Sequence, residues 1–312
     1  MILAEVARVR EEIANLGETE ITVKGKSFVV DFNLVLSMID GKVLSTVNET
    51  PNMGACSICD ATRAQMNNLP LLYAKTLKPS ALLSMSPLHA RIKFMENLLK
   101  ISYNLGFKRG SVQTKKQKVM RERRKTIVQN RFRRVLGLHI DKVRQGMGNS
   151  NDGNTSRRFF ADPSITSKIL NVDLCLIKNF QVILDTINSQ ETIDVEKFEA
   201  YCKATATRYV AKYSWYPMTP TVHKVLLHGS RIISEVSLPI GMFSEEAQEA
   251  QNKVYRHNRL HHSRKMSRLV TNEDVMRLML AQSDPYIYKY RNTSKTFVPT
   301  VNEAVSSLLK SG

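Results

Sequence analysis

Two cysteines near the front of the chain, Cys56 and Cys59 in Cys-Ser-Ile-Cys, and two histidines near its back, His223 and His228 in His-Lys-Val-Leu-Leu-His, constrain the fold more than any other feature. Thiolate sulfur and imidazole nitrogen are the donors that tetrahedral zinc prefers, and four protein ligands make a closed, structural site. One ion held by all four would tie the start of a long segment to its end. It would also draw the flanking carboxylates Asp40 and Glu249 toward each other. Each pair has a plainer reading: the cysteines can be buried thiols and the histidines can simply pack. On an ideal helix residues five apart do not share a face, because each residue turns about 100°. The two histidines therefore call for a helix distorted near Gly229, or for ligands at its ends. Cys175 and Cys202 have no close partner in sequence, which leaves the four as the coherent set.

With 312 residues the chain can hold one large domain or two. Its charge is lopsided: 46 Lys plus Arg against 28 Asp plus Glu, a net +18. A surplus of this size suits a polyanionic partner, since each phosphate neutralised releases condensed counterions. A membrane surface would attract it too, and a basic protein with no such partner is the plain alternative. Four cysteines in so long a chain do not make a disulfide scaffold. The N-terminus is charged from its fifth residue, unlike a secretory signal, and no apolar run approaches membrane-spanning length. The expectation is a soluble nuclear protein with DNA as partner, a homodimer as an option, and neither a membrane nor a small-molecule substrate.

Apolar positions predict a helix over 3–16 and, by their alternation, two strands over 20–39, split at Gly25, the second running into Asp40. Helices are expected over 87–106, 111–138 (one or a pair), 164–188, 194–212, 221–235 and from Ser244 onward. Residues 146–154, rich in Gly, Asn, Ser and Asp, read as a loop, and 285–312 as a weakly ordered tail.

The basic stretch over 115–134 holds Lys115, Lys116, Arg121, Arg123, Arg124, Arg131, Arg133 and Arg134, with Glu122 alone opposing. A charge run is usually a solvated face, but one this dense repels itself and suits an anionic partner. Asn154, Arg157 and Arg158 add amides and guanidinium groups suited to phosphate oxygens, unless they sit on an ordinary surface loop. Arg256 opens a second basic run. By spacing alone Asp40-Gly41 reads as a hairpin turn, and a magnesium ligand at a strand end is the alternative. Glu249 lies among acids that open a helix, where the macrodipole favours them.

The chain resembles the Transib transposases and their relative, the V(D)J recombination-activating protein one family. The resemblance rests on Met38-Ile-Asp-Gly-Lys42, Cys56-Ser-Ile-Cys-Asp-Ala-Thr-Arg63, Ser86-Pro-Leu-His-Ala-Arg-Ile-Lys-Phe94, Gly148-Asn-Ser-Asn-Asp-Gly-Asn-Thr-Ser-Arg-Arg-Phe-Phe160, His223-Lys-Val-Leu-Leu-His228 and Ser244-Glu-Glu-Ala-Gln-Glu-Ala-Gln-Asn-Lys253, in family order. It implies DNA nicking and strand transfer by an RNase H-like core bearing three acids and Mg²⁺. A helical zinc-holding insertion would separate the second acid from the third. Asp40 would be the second acid and Glu249 the third, both Mg²⁺ ligands. His89 would stand near the active site, and Cys56, Cys59, His223 and His228 would hold the structural zinc. No counterpart of the first acid is found before Asp40, Asp31 being placed wrongly for it, so the expected nuclease activity is impaired.

The expected fold is therefore mostly α with a small β part, an incomplete RNase H-like core carrying a large helical zinc-binding insertion. Residues 1–55 would be partial core, 56–235 the insertion, 236–284 the closing helix and 285–312 the tail. The alternative is a non-catalytic, zinc-stabilised DNA-binding or partner-binding protein derived from a transposase.

Overall fold

The computed structural model describes residues 2–32, 46, 54–77, 85–112, 114–144, 148–291 and 302–310. The chain is mostly helical and divides into two compact units, residues 1–243 with 304–312, and residues 244–303.

The first unit opens with helix α1 (Ile2–Ala14) and a two-stranded antiparallel ribbon, β1 (Thr19–Val23) and β2 (Lys26–Val30), paired Thr19 to Val30 and Val23 to Lys26. Lys24 and Gly25 turn the chain with φ of 52° and 75°, the left-handed backbone that a tight hairpin needs. The described ladder ends at Val30. Leu3, Val9, Ile21, Phe28 and Val29 are exposed, so this front segment does not contribute to the main core.

That core is all-helical. Helix α2 (Leu69–Tyr73) is followed by α3 (Pro87–Asn104), which packs against five others: α4 (Lys115–Leu136), α5 (Gly153–Ala161), α6 (Pro163–Leu170), α7 (Leu174–Asn188) and, after α8 (Val195–Tyr213), α9 (Pro220–Glu235). Ser86 caps α3 and Pro87 takes its first position, where a missing N–H costs nothing. Buried Phe94, Met95, Leu98, Leu99 and Ile101 then make it the centre of the bundle. Phe94 meets Phe180 edge-on at 4.6 Å, and Phe132 stacks on Phe159 at 5.2 Å.

Local chemistry explains where the expected elements shift. The basic stretch is one helix, closed by a Thr114/Gln117 capping box and by Gly137 in left-handed conformation. The apolar run 164–188 is two helices, because Asn171 turns left-handed (φ 57°) and Asp173 caps the next. The loop expected to reach Asn154 stops earlier: Asp152 caps α5 from Gly153 onward. Before it, Val143–Arg144 (β3) pairs with Gly148–Asn149 (β4). Residues 302–310, expected within a tail, are ordered: α13 (Glu303–Ser306) leads to buried Leu308, whose carbonyl accepts from Asp194 N.

The second unit holds α10 (Glu246–His261), α11 (Arg268–Ser283) and α12 (Pro285–Arg291). Its corner is polar: Arg264 forks onto Asp274 at 2.8 and 3.0 Å, and Thr271 Oγ1 donates to the Arg264 carbonyl.

Candidate metal centre

The cysteine half is a tight turn. Asp60 N donates to the Cys56 carbonyl and Cys56 N to the Ala61 carbonyl, both at 2.9 Å. Asp60 is left-handed (φ 53°), a conformation Asp tolerates better than most residues. The fold of this turn brings both sulfurs to one side. The histidine half rides on α9, with His223 in the opening turn and His228 in the middle.

The halves converge. The four ligand atoms lie within 4.8 Å of one another, and this is the sole group of three or more such side chains among the described residues. Cys59 Sγ is 3.3 Å from His223 Nε2, which is 3.1 Å from His228 Nε2. Edges of a tetrahedral zinc site built from usual Zn–S and Zn–N bonds measure about 3.3–3.8 Å. The donor set therefore fits zinc with small side-chain movements. All four residues are buried, none more than 4% exposed. Two thiolates cancel the charge of a dication, so the loaded site is neutral and suits full burial.

Helix α9 is continuous through Gly229, and His228 lies in its middle, so neither the distortion near Gly229 nor the placement of both ligands at the helix ends is found. The histidines point about 140° apart around the axis. Their rings close that gap by meeting nearly perpendicular, at 77°, over the flank where the cysteine turn lies. Gly229 keeps α9 close to its neighbours: a Cβ there would come within 3.2 Å of Phe198.

The hydrogen bond with Cys59 holds Cys56 well below the usual thiol range, helped by His223 and His228. The same bond, then burial, pushes Cys59 well above it. Burial also lowers Lys224, with the Cys56 charge opposing. A zinc ion binds thiolates, so loading releases protons and is favoured by rising pH. His223 Nδ1 and Ser57 Oγ are buried without a hydrogen-bond partner in the described structure. Ligating histidines normally have that nitrogen anchored.

Asn67 joins the two halves, and nothing in the sequence singles it out, since it reads as one loop asparagine among several. Its Nδ2 donates to the carbonyls of Ser214 and Tyr216 at 3.1 Å, and its Oδ1 accepts from Met218 N at 2.9 Å. The segment after the cysteines is thereby stapled to the connection that feeds α9.

The other sequence-derived residues are dispersed. Asp40 lies outside the described residues. Glu249 falls on α10, in the second unit. His89 is an exposed residue in the first turn of α3, with its Nδ1 3.1 Å from the Ser86 hydroxyl. On α4, Lys115, Lys116, Arg123, Arg131, Arg133 and Arg134 are exposed, as the charge pattern predicts. Arg121 and Arg124 are half-buried, and Arg124 donates to the Leu170 carbonyl at 2.9 Å. Helical rotation turns these two positions inward while their neighbours stay in water. Asn154, Arg157 and Arg158 are exposed on α5, with Arg158 in its last turn, where the guanidinium donates to the Leu136 carbonyl. Asn151, in the same loop, is internal: it pairs with Asp141, which also accepts from Tyr103 Oη at 2.8 Å. Arg256 is exposed on α10. No helix among the described residues is long and apolar enough to cross a membrane.

The chain matches no protein-family profile and no curated protein.

Proposed function

We propose that the protein is a zinc-clamped, DNA-handling module of the Transib type, derived from a recombinase that nicks DNA and transfers strands with Mg²⁺. The observation that carries this reading is the convergence of Cys56 and Cys59 with His223 and His228, residues that the resemblance names as one ligand set. The exposed basic face of α4, together with Arg157 and Arg158 on α5, supplies cations of the kind that contact phosphates without reading bases. Asp40 and Glu249 are proposed as the Mg²⁺ ligands of the ancestral reaction. A non-catalytic DNA-binding role is the second reading. It is favoured by the nature of the centre itself: four protein ligands, fully buried, leave no open position for substrate.

The test is duplex binding across a salt series with zinc-loaded protein. Affinity should fall steeply with salt, and the triple variant Arg131→Gln, Arg133→Gln, Arg134→Gln should flatten the slope by about 0.9 for each phosphate that is no longer neutralised. Nicking in Mg²⁺ or Mn²⁺ that is abolished by Glu249→Ala would decide for the catalytic reading. Unchanged binding with no nicking would decide for the second. Salt-independent or absent duplex binding overturns both.

A further inference from the structure

Beside the metal centre lies a cleft of ≈ 480 Å³ whose walls continue into both halves of the site: Gly54 stands just before Cys56, and Thr219 and Pro220 just before His223. Among the described residues three cations line it, Arg63, Lys100 and Arg121, and no carboxylate does. Lys100 is exposed at its side chain, whereas Arg121 is half-buried and turned from the solvated face of α4. Arg63 spends one Nη2 bond, at 2.9 Å, on the Gly110 carbonyl and so is held at the rim. The charges of Arg63 and Arg121 both reach the phenol of Tyr216, where they oppose the burial that raises its pKa.

The polar groups of this cleft are unfinished. Of the nine buried side-chain polar atoms without a partner among the described residues, three belong to residues that line it: Asn104 Oδ1, Arg121 Nε and Thr219 Oγ1. Asn104 is only 4% exposed, and its Oδ1 has no hydrogen-bond partner among the described residues. An amide can be turned to present its NH₂ group, which makes Asn104 a donor to an anion as readily as an acceptor. Thr219 is the N-cap of α9 yet makes no side-chain cap bond, and Pro220 follows it. The opening amides and the positive end of a sixteen-residue helix therefore point at the same space. Buried polar atoms are rarely left unpaired. Here three belong to the residues of one cleft, beside three cations and a helix N-terminus, a setting that suits an anion.

We propose that this cleft binds a phosphate group, held by Arg63, Lys100 and Arg121, with Thr219 and Asn104 completing its hydrogen bonds. The same chemistry is presented by a free polyphosphate and by a nucleic-acid backbone. The proposal rests on the cleft and stands apart from the DNA-handling role.

Trp215, the one tryptophan, stacks edge-on with Tyr216 at 5.9 Å and reports on the cleft. Pyrophosphate titrated into the zinc-loaded full chain should give a saturable change in its fluorescence and a matching calorimetric signal. Lys100→Gln and Arg121→Gln should each weaken binding about tenfold, the loss of one charge-assisted bond. Lys178→Gln, which removes an exposed charge elsewhere, should not. Equal zinc content and melting temperature establish that the variants are folded, and Lys100, being exposed, carries the comparison if Arg121→Gln is unstable. Competition by a short duplex assigns the group to a nucleic-acid backbone, and its absence assigns it to a free phosphate compound. No saturable binding of pyrophosphate or inorganic phosphate, or binding that Lys178→Gln weakens as much as Lys100→Gln does, overturns the proposal.

Discussion

Asp173 shows how a single side chain can serve two elements at once. Its carboxylate caps α7 by accepting from Leu176 N at 2.8 Å, and it takes Arg208 of α8 at 2.8 Å. The Arg208 hydrogen bond holds its carboxyl below the ordinary carboxylate value. A depressed carboxylate stabilises the fold fully above its unfolded pKa, near 4, and that contribution fades as pH falls through the folded value. Asp173→Asn keeps an N-cap and removes the charge. It should cost about 1 kcal/mol or less at pH 7, because the pair is partly solvated. The deficit against wild type should close as pH falls through the folded value, which urea unfolding at pH 7 and along an acid series will show. At this scale the sequence was legible where chemistry is intrinsic to a residue type. The four metal donors could be picked out by sulfur and imidazole alone. Asn67 could not, because its role comes from three backbone groups that are distant in sequence.

Helices were legible wherever apolar residues recur at helical spacing, and α3, α8 and α9 follow that pattern closely. Errors gathered where one residue overrides the period. The apolar spacing of 164–188 runs straight through Asn171, yet that left-handed residue ends one helix and Asp173 caps the next. The Gly- and Asn-rich composition of 146–154 hid the start of α5, which depends on the Asp152 cap. Close approach between elements is equally silent in sequence. Gly241, in the short turn Ile240–Phe243, lies against the end of α7, where a Cβ would meet Ser189 O at 2.1 Å and Asn188 O at 2.7 Å. Both are backbone atoms and cannot rotate away. Gly241→Ala should therefore destabilise the first unit by about 3 kcal/mol, read as a shift in the urea midpoint with an unchanged m-value.

At the scale of the whole molecule the metal centre closes the first unit, since one ion would join the turn after Gly54 to a helix that begins at Pro220. Binding free energy at such a site is folding free energy. Ion present at about a thousandfold over its dissociation constant adds about 4 kcal/mol. Stripping zinc with a strong chelator should then lower the melting temperature by about 10 °C, and Cys56→Ala should show the low value with or without chelator. An unchanged melting temperature on chelation would mean that the four side chains merely pack. The front ribbon remains a two-stranded hairpin whose apolar residues are exposed, so the expected RNase H-like core stays a proposal resting on the resemblance. The sequence by itself determined the donor set, the helical periods and the cationic surplus, because these are properties of residue types and of local spacing. Only the tertiary structure decided that the two ligand pairs meet, that Arg121 turns toward a cleft while Arg131 stays in water, and that the C-terminal residues dock on the helical core. Those outcomes depend on how loops route the chain and how helix faces pack, which are sums over interactions far apart in sequence.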